Sequence, residues 1–89
     1  MMGYEMAGAE AAPMVPAQAA GEDFYELGLM YAAGRAVPAD LVEAHKWFNI
    51  AVARGCREAA VKRAELAHEM SAEEIAAAQR QARLWLTRH

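Results

Sequence analysis

LGLMYAAGRAVPADLVEAHKWFNIAVARG, residues Leu27 to Gly55, holds two helical segments joined by a short Gly/Pro turn. Just upstream, Phe24 joins Leu27, Gly28 and Tyr31 at the three- and four-residue steps that share one helix face. Gly28 is out of place on propensity alone, since glycine inside a helix costs about 1 kcal/mol relative to alanine. A helix tolerates it where another backbone or a bulky ring must come close. Gly34 supplies a residue able to take positive φ just past the helix. Pro38 biases Val37 towards an extended conformation. Asp40, with Glu43 three residues later, has the spacing of a capping box that opens a second helix. The core face expected of that helix is Leu41, Ala44, Trp47, Phe48, Ala51 and Val52, and Gly55 closes it. Two helices and a short turn make an αα-hairpin.

The spaced residues carry a resemblance. Leu27-Gly28-x-x-Tyr31, Gly34-x-x-Val37-Pro38-x-Asp40, Ala44-x-x-Trp47-Phe48-x-x-Ala51 and Gly55 together resemble one Sel1-like repeat, a relative of the tetratricopeptide repeats. The match covers about a third of the chain and has many fixed positions at fixed spacings. It departs from the family at Ala36, where a second glycine is usual, and at Val52, where alanine is usual. Alanine at position 36 makes a positive φ there less expected. The resemblance implies stacked helix hairpins and an adaptor or scaffold role in protein–protein interaction.

The chain has 89 residues and a formal charge of −3, room for one small domain. Residues 1–21 are rich in Ala and Met, contain Pro13 and Pro16, and have no Lys or Arg. They lack the positive region and apolar run of a secretory signal. They read as a flexible leader, either a passive tail or a short tethering peptide around Tyr4 and Met6. With the leader set aside, roughly 70 residues remain, a size at which one core supplies only a few kcal/mol. The first base is Arg35, so the N-terminal half is acidic, and the other eight bases lie beyond it, from Lys46 to Arg88. No basic stripe or nucleic-acid motif is present. No apolar run reaches about 18 residues, so no membrane span is expected, and a cytoplasmic location follows from the lack of a signal or span. The single Cys56 cannot form a disulfide within the chain.

Beyond Gly55, the repeat pattern continues at Ala59 and then fades: Arg63, Ala64 and Ala67 stand where the family has leucine, glycine and an aromatic. The segment Arg57 to Met70 still shows an apolar arc of Ala59, Ala60, Leu66, Ala67 and Met70, with Arg63 in its middle. Either Arg63 snorkels its guanidinium to the edge, which is the expectation, or that arc is only partly covered. Ser71 and Glu74 form a second capping box. The last helix has acids in its first turn and bases towards its end, as the helix dipole favours, and a packing face of Ile75, Ala78, Gln79, Ala82, Trp85 and Leu86. The expected architecture is all-α, a short right-handed α-solenoid of two antiparallel helix hairpins, about one and a half Sel1-like repeats. Residues 22–55 form the repeat hairpin and residues 56–89 a degenerate C-terminal capping hairpin.

No catalytic constellation stands out. His45, His68, His89 and Cys56 fit no common zinc spacing, so neither a metal nor a cofactor is expected. His45, at the margin of its helix's apolar face, reads as a hydrogen-bonded structural histidine, and Cys56 as a small packing residue. Surface recognition is the job left, with another protein or peptide as partner and no nucleic acid or membrane. The rival readings are a self-associating structural module, which makes a homo-oligomer through its helix faces, and an accessory subunit of an enzyme. Repeat units cover one another's apolar sides, and about three are usually needed. The candidate partner-binding face is the outer side of the first helix: Glu22, Glu26, Leu29 and Ala33. Its acids favour a basic partner segment.

Overall fold

Gly28 sits where a ring needs its space. A Cβ built on it would fall well inside van der Waals contact with the Phe48 ring, and Phe48 is only 1% exposed. The computed structural model describes residues 19–89, and these form four helices: α1 (Gly21–Ala33), α2 (Leu41–Ala53), α3 (Arg57–Ala67) and α4 (Ala72–Arg88). The described residues are all-helical. The expectation for residues 1–18 lies outside the described residues; of the rest of the leader, Ala19 is buried and Gly21 is the first residue of α1.

α1 and α2 run antiparallel. A Cβ on Gly21 would stand 2.9 Å from the Arg54 carbonyl, and at the other end the Asp40 N–H donates to the Tyr31 carbonyl at 3.0 Å. Every apolar position of the α1 face is buried: Phe24, Leu27, Gly28 and Tyr31. The turn between them holds Gly34 in the left-handed region, with its N–H and that of Arg35 both donating to the Met30 carbonyl. Val37 is buried, and Pro38 is exposed.

Two features of this turn depart from expectation. Ala36 has φ +67°, a left-handed conformation that costs an L-residue about 1–2 kcal/mol. Gly34 and the buried Val37 bracket it, and the chain between them turns only if position 36 accepts that angle. The second is that Glu43 does not complete a capping box. Asp40 accepts from the Glu43 N–H at 3.1 Å, but the N–H of Asp40 is already bonded to Tyr31. The Glu43 carboxylate turns instead to the Trp47 indole N–H, at 3.0 Å, and to Lys46, at 3.5 Å. By contrast the Ser71–Glu74 box is complete, with bonds of 3.1 and 2.9 Å.

α2 is the hub. α1, α3 and α4 all pack on it, while α3 and α4 approach each other far less closely than either approaches α2. Its buried residues are Ala44, His45, Trp47, Phe48, Ile50 and Ala51, with Leu41 and Val52 half-buried. They span more than half of the helical wheel, wider than the single stripe of a surface helix. Ile50 and His45, off the expected core face, are buried because α3 and α4 close over further sides of α2. α4 contributes fully buried Ala78 and Ala82, with Ile75, Trp85 and Leu86 half-buried and Gln79 exposed. An aromatic trio ties α4 to the first two helices. Phe24 and Trp47 lie nearly parallel with centroids 5.9 Å apart, and Trp85 meets them edge-on at 5.1 and 5.6 Å. Such pairs add about 0.5–1.5 kcal/mol each beyond area burial. The Arg54 guanidinium stacks over Phe24 and Trp85 at 5.8 and 5.6 Å.

Four stability changes follow, each read by urea unfolding. Gly28→Ala is expected to destabilise by about 1–2 kcal/mol, because overpacking against an enclosed ring outweighs the gain in helix propensity. Phe48→Leu should then cost less in that background than in the wild type. Trp47→Ala is expected to lose about 3–5 kcal/mol. Ala36→Gly is expected to gain about 0.5–1 kcal/mol by relieving the left-handed alanine.

Candidate functional site

A groove lies along α1 and α3. Leu29, Ala32, Ala33 and Arg35 form one side and Lys62, Glu65, Leu66 and Glu69 the other, enclosing about 280 Å³ over the Phe48 ring. The α3 side follows from its sequence: positions 62, 65 and 66 share one helix face, and Glu69 follows in the turn after α3. Leu66 is buried and Leu29 half-buried against the core. Around this apolar floor the rim carries both signs of charge, with Lys62 and Glu65 paired at 3.7 Å. A pair this exposed contributes little to stability.

Of the four residues expected at a binding face, Leu29 and Ala33 line this groove. Glu22 and Glu26 lie exposed on α1 nearer its N-terminus and do not line it. Leu29 is therefore part of a groove floor rather than a lone apolar residue on a wet face. Phe48 and the α3 residues were missed. The wheel of a single helix does not show which neighbour will lie beside it.

Beneath the α3 side runs a polar chain. Arg63 donates from Nη1 to Asn49 Oδ1 at 2.8 Å, and the Asn49 amide nitrogen stands 2.9 Å from His45 Nδ1. The guanidinium has only donors, so it fixes the Asn49 oxygen towards α3 and the NH2 towards the imidazole. His45 Nδ1 must then accept, which assigns the neutral ring with its proton on Nε2. Arg63 thus does not snorkel to the edge: it is half-buried and bonded across to α2. His45, 2% exposed, is a hydrogen-bonded structural histidine as expected. Desolvation, and then the Arg63 charge, push its pKa below the ordinary 6.5. The i,i+4 spacing of His45 and Asn49 and the charge inside the α3 arc were the legible signs of this chain.

A second recess of about 330 Å³ lies at the turn, lined by Tyr31, Pro38, Asp40, Glu43 and Trp47 among others. Burial, with the Glu43 and Asp40 charges, holds the Tyr31 hydroxyl above its usual pKa. Cys56 is buried, with its thiol 3.5 Å from a Glu58 carboxylate oxygen. Among the described residues no group of three or more His, Cys, Asp and Glu is placed to hold a metal ion, and no helix is long and apolar enough to cross a membrane.

Comparison of the chain with protein-family models, with curated proteins and with solved structures finds no match in any of the three.

The lowered pKa of His45 links stability to pH. The unfolded chain takes up a proton near pH 6.5 and the folded chain only at lower pH, so the unfolded state binds more protons in between. His45 therefore contributes stability that is present above pH 6.5 and lost as pH falls through that window, by at most about 1.4 kcal/mol per pH unit. Urea midpoints measured from pH 7.5 to 5.5 are expected to fall, and to fall less steeply in His45→Gln.

Proposed function

We propose that this protein is a non-catalytic protein–protein interaction module that takes a segment of its partner into the groove between α1 and α3. The observation that carries this reading is the groove's floor. Half-buried Leu29 lies over the buried Phe48 and Leu66 between two helices, with charged residues on either side. Binding sites of this kind anchor a few apolar side chains of a partner and orient it with the rim. The repeat-like spacing of Leu27 to Gly55 supports the same reading. In a solenoid of such repeats the first helix of each unit would line the concave side, although α3 and α4 pack on α2 rather than on each other. In this chain those helices are α1 and α3.

Glu22 and Glu26, exposed on α1 beyond the groove, extend the surface with negative charge. A partner segment with an apolar anchor and flanking bases satisfies both parts, and its association would slow with added salt.

Photo-crosslinking from the native extract tests this. A photoreactive residue at Ala33, in the groove, is expected to trap a defined partner, and one at Ala76, exposed on α4, is not. Leu29→Asp, checked for folding by circular dichroism, is expected to weaken binding of the trapped partner by about tenfold, equivalent to about 1.4 kcal/mol. Equal trapping at the two positions, or undiminished binding by Leu29→Asp, would remove the groove as the site.

A further inference from the structure

We propose that the joint between α2 and α3 is a proton-operated latch: protonation of His45 breaks the relay through Asn49 to Arg63 and frees α3 from α2. The reason lies in what one amide can do. Asn49 Oδ1 accepts from Arg63 at 2.8 Å, and its NH2 faces His45 Nδ1 at 2.9 Å. When Nδ1 gains a proton, donor faces donor across that second contact. Flipping the amide would offer its oxygen to the imidazolium, but it would turn the NH2 against the guanidinium, which has no acceptor. Either orientation sets donor against donor at one of the two contacts of this part-buried relay and so loses one of its hydrogen bonds. The conflict is relieved when Arg63 leaves, and Arg63 moves with α3.

The surrounding charges do not soften it. From α3 the group facing His45 is Arg63, the one charge that shifts its ionisation. From α4, Arg83 lines the same recess as Asn49, again a cation. α1 contributes no charge that shifts it. On α2 itself the Glu43 carboxylate does not shift it and is engaged by the Trp47 indole and Lys46.

Without this link α3 is held to α2 by few anchors. Only Ala59 and Leu66 are buried along it, its N-cap Cys56 makes no side-chain capping bond, and it meets α1 only marginally. Arg63 lies midway between those two anchors. Leu66 and the charged residues of one groove wall move with α3, so acid would also open the groove. That last consequence rests on the binding reading, whereas the latch itself does not.

Hydrogen exchange on the full chain between pH 7.5 and 5.5, corrected for the intrinsic pH dependence, tests the latch. Amides of α3 are expected to show lower protection than those of α2, reporting an opening short of global unfolding. Their protection should fall by up to about tenfold per pH unit below about 6.5, as expected for an opening that takes up one proton. In His45→Gln that fall should vanish. A parallel imidazole titration by NMR uses Arg63→Met, which removes a repelling cation and frees the Asn49 amide to turn. Its His45 midpoint is expected to move up relative to the wild type. The proposal is overturned if α3 and α2 share one protection at every pH, if α3 protection is flat with pH, if the fall persists in His45→Gln, or if the Arg63→Met midpoint stays or moves down.

Discussion

The approach of Phe48 to Gly28 sets the geometry of everything around it. With no Cβ at position 28, the ring lies against the α1 backbone, and α1 and α2 come together at a separation that no larger residue there permits. That separation brings Phe24 into parallel stacking with Trp47. It also leaves the Phe48 ring at the base of the groove between α1 and α3. One missing methyl group thus links the aromatic cluster on one side of the hairpin to the candidate binding surface on the other.

What the chain declares in its own sequence is mostly local. The spacing of Phe24, Leu27, Gly28 and Tyr31, the stop at Gly34 and the cap at Asp40 are set within a few residues of one another, and the first two helices were legible from them. Properties set by a third element were not. Glu43 left its expected capping role because the Tyr31 carbonyl had already taken the N–H of Asp40. Ile50 and His45 are buried because α2 is covered by three helices, whereas a wheel shows one stripe. Ala36 adopts a backbone angle that its side chain disfavours, because closing the turn outweighs a local preference. Of the nine residues lining the candidate groove, two were readable, Leu29 and Ala33. The rest depended on where α3 came to lie.

The two flanks of α2 are held by different physics. On the α4 flank, rings meet rings and a guanidinium lies over them, a contact made largely of area. On the α3 flank, two anchors, Ala59 and Leu66, bracket a chain of three polar side chains whose hydrogen bonds favour the neutral imidazole. The first arrangement suits a permanent core. The second gives a face whose attachment depends on the solution around it, and it is the face that borders the groove.

The placement of the tryptophans has a consequence for how this protein looks to a spectroscopist. Trp47 and Trp85 belong to one cluster, 5.6 Å apart, between α2 and α4, and α3 carries neither. Intrinsic emission and the near-ultraviolet dichroism of the indoles therefore track the docking of α4 onto the first hairpin. A rearrangement confined to α3 would leave them nearly silent. A single smooth tryptophan transition would accordingly describe the aromatic half of the molecule alone, and a chain with α3 already released would register optically as native.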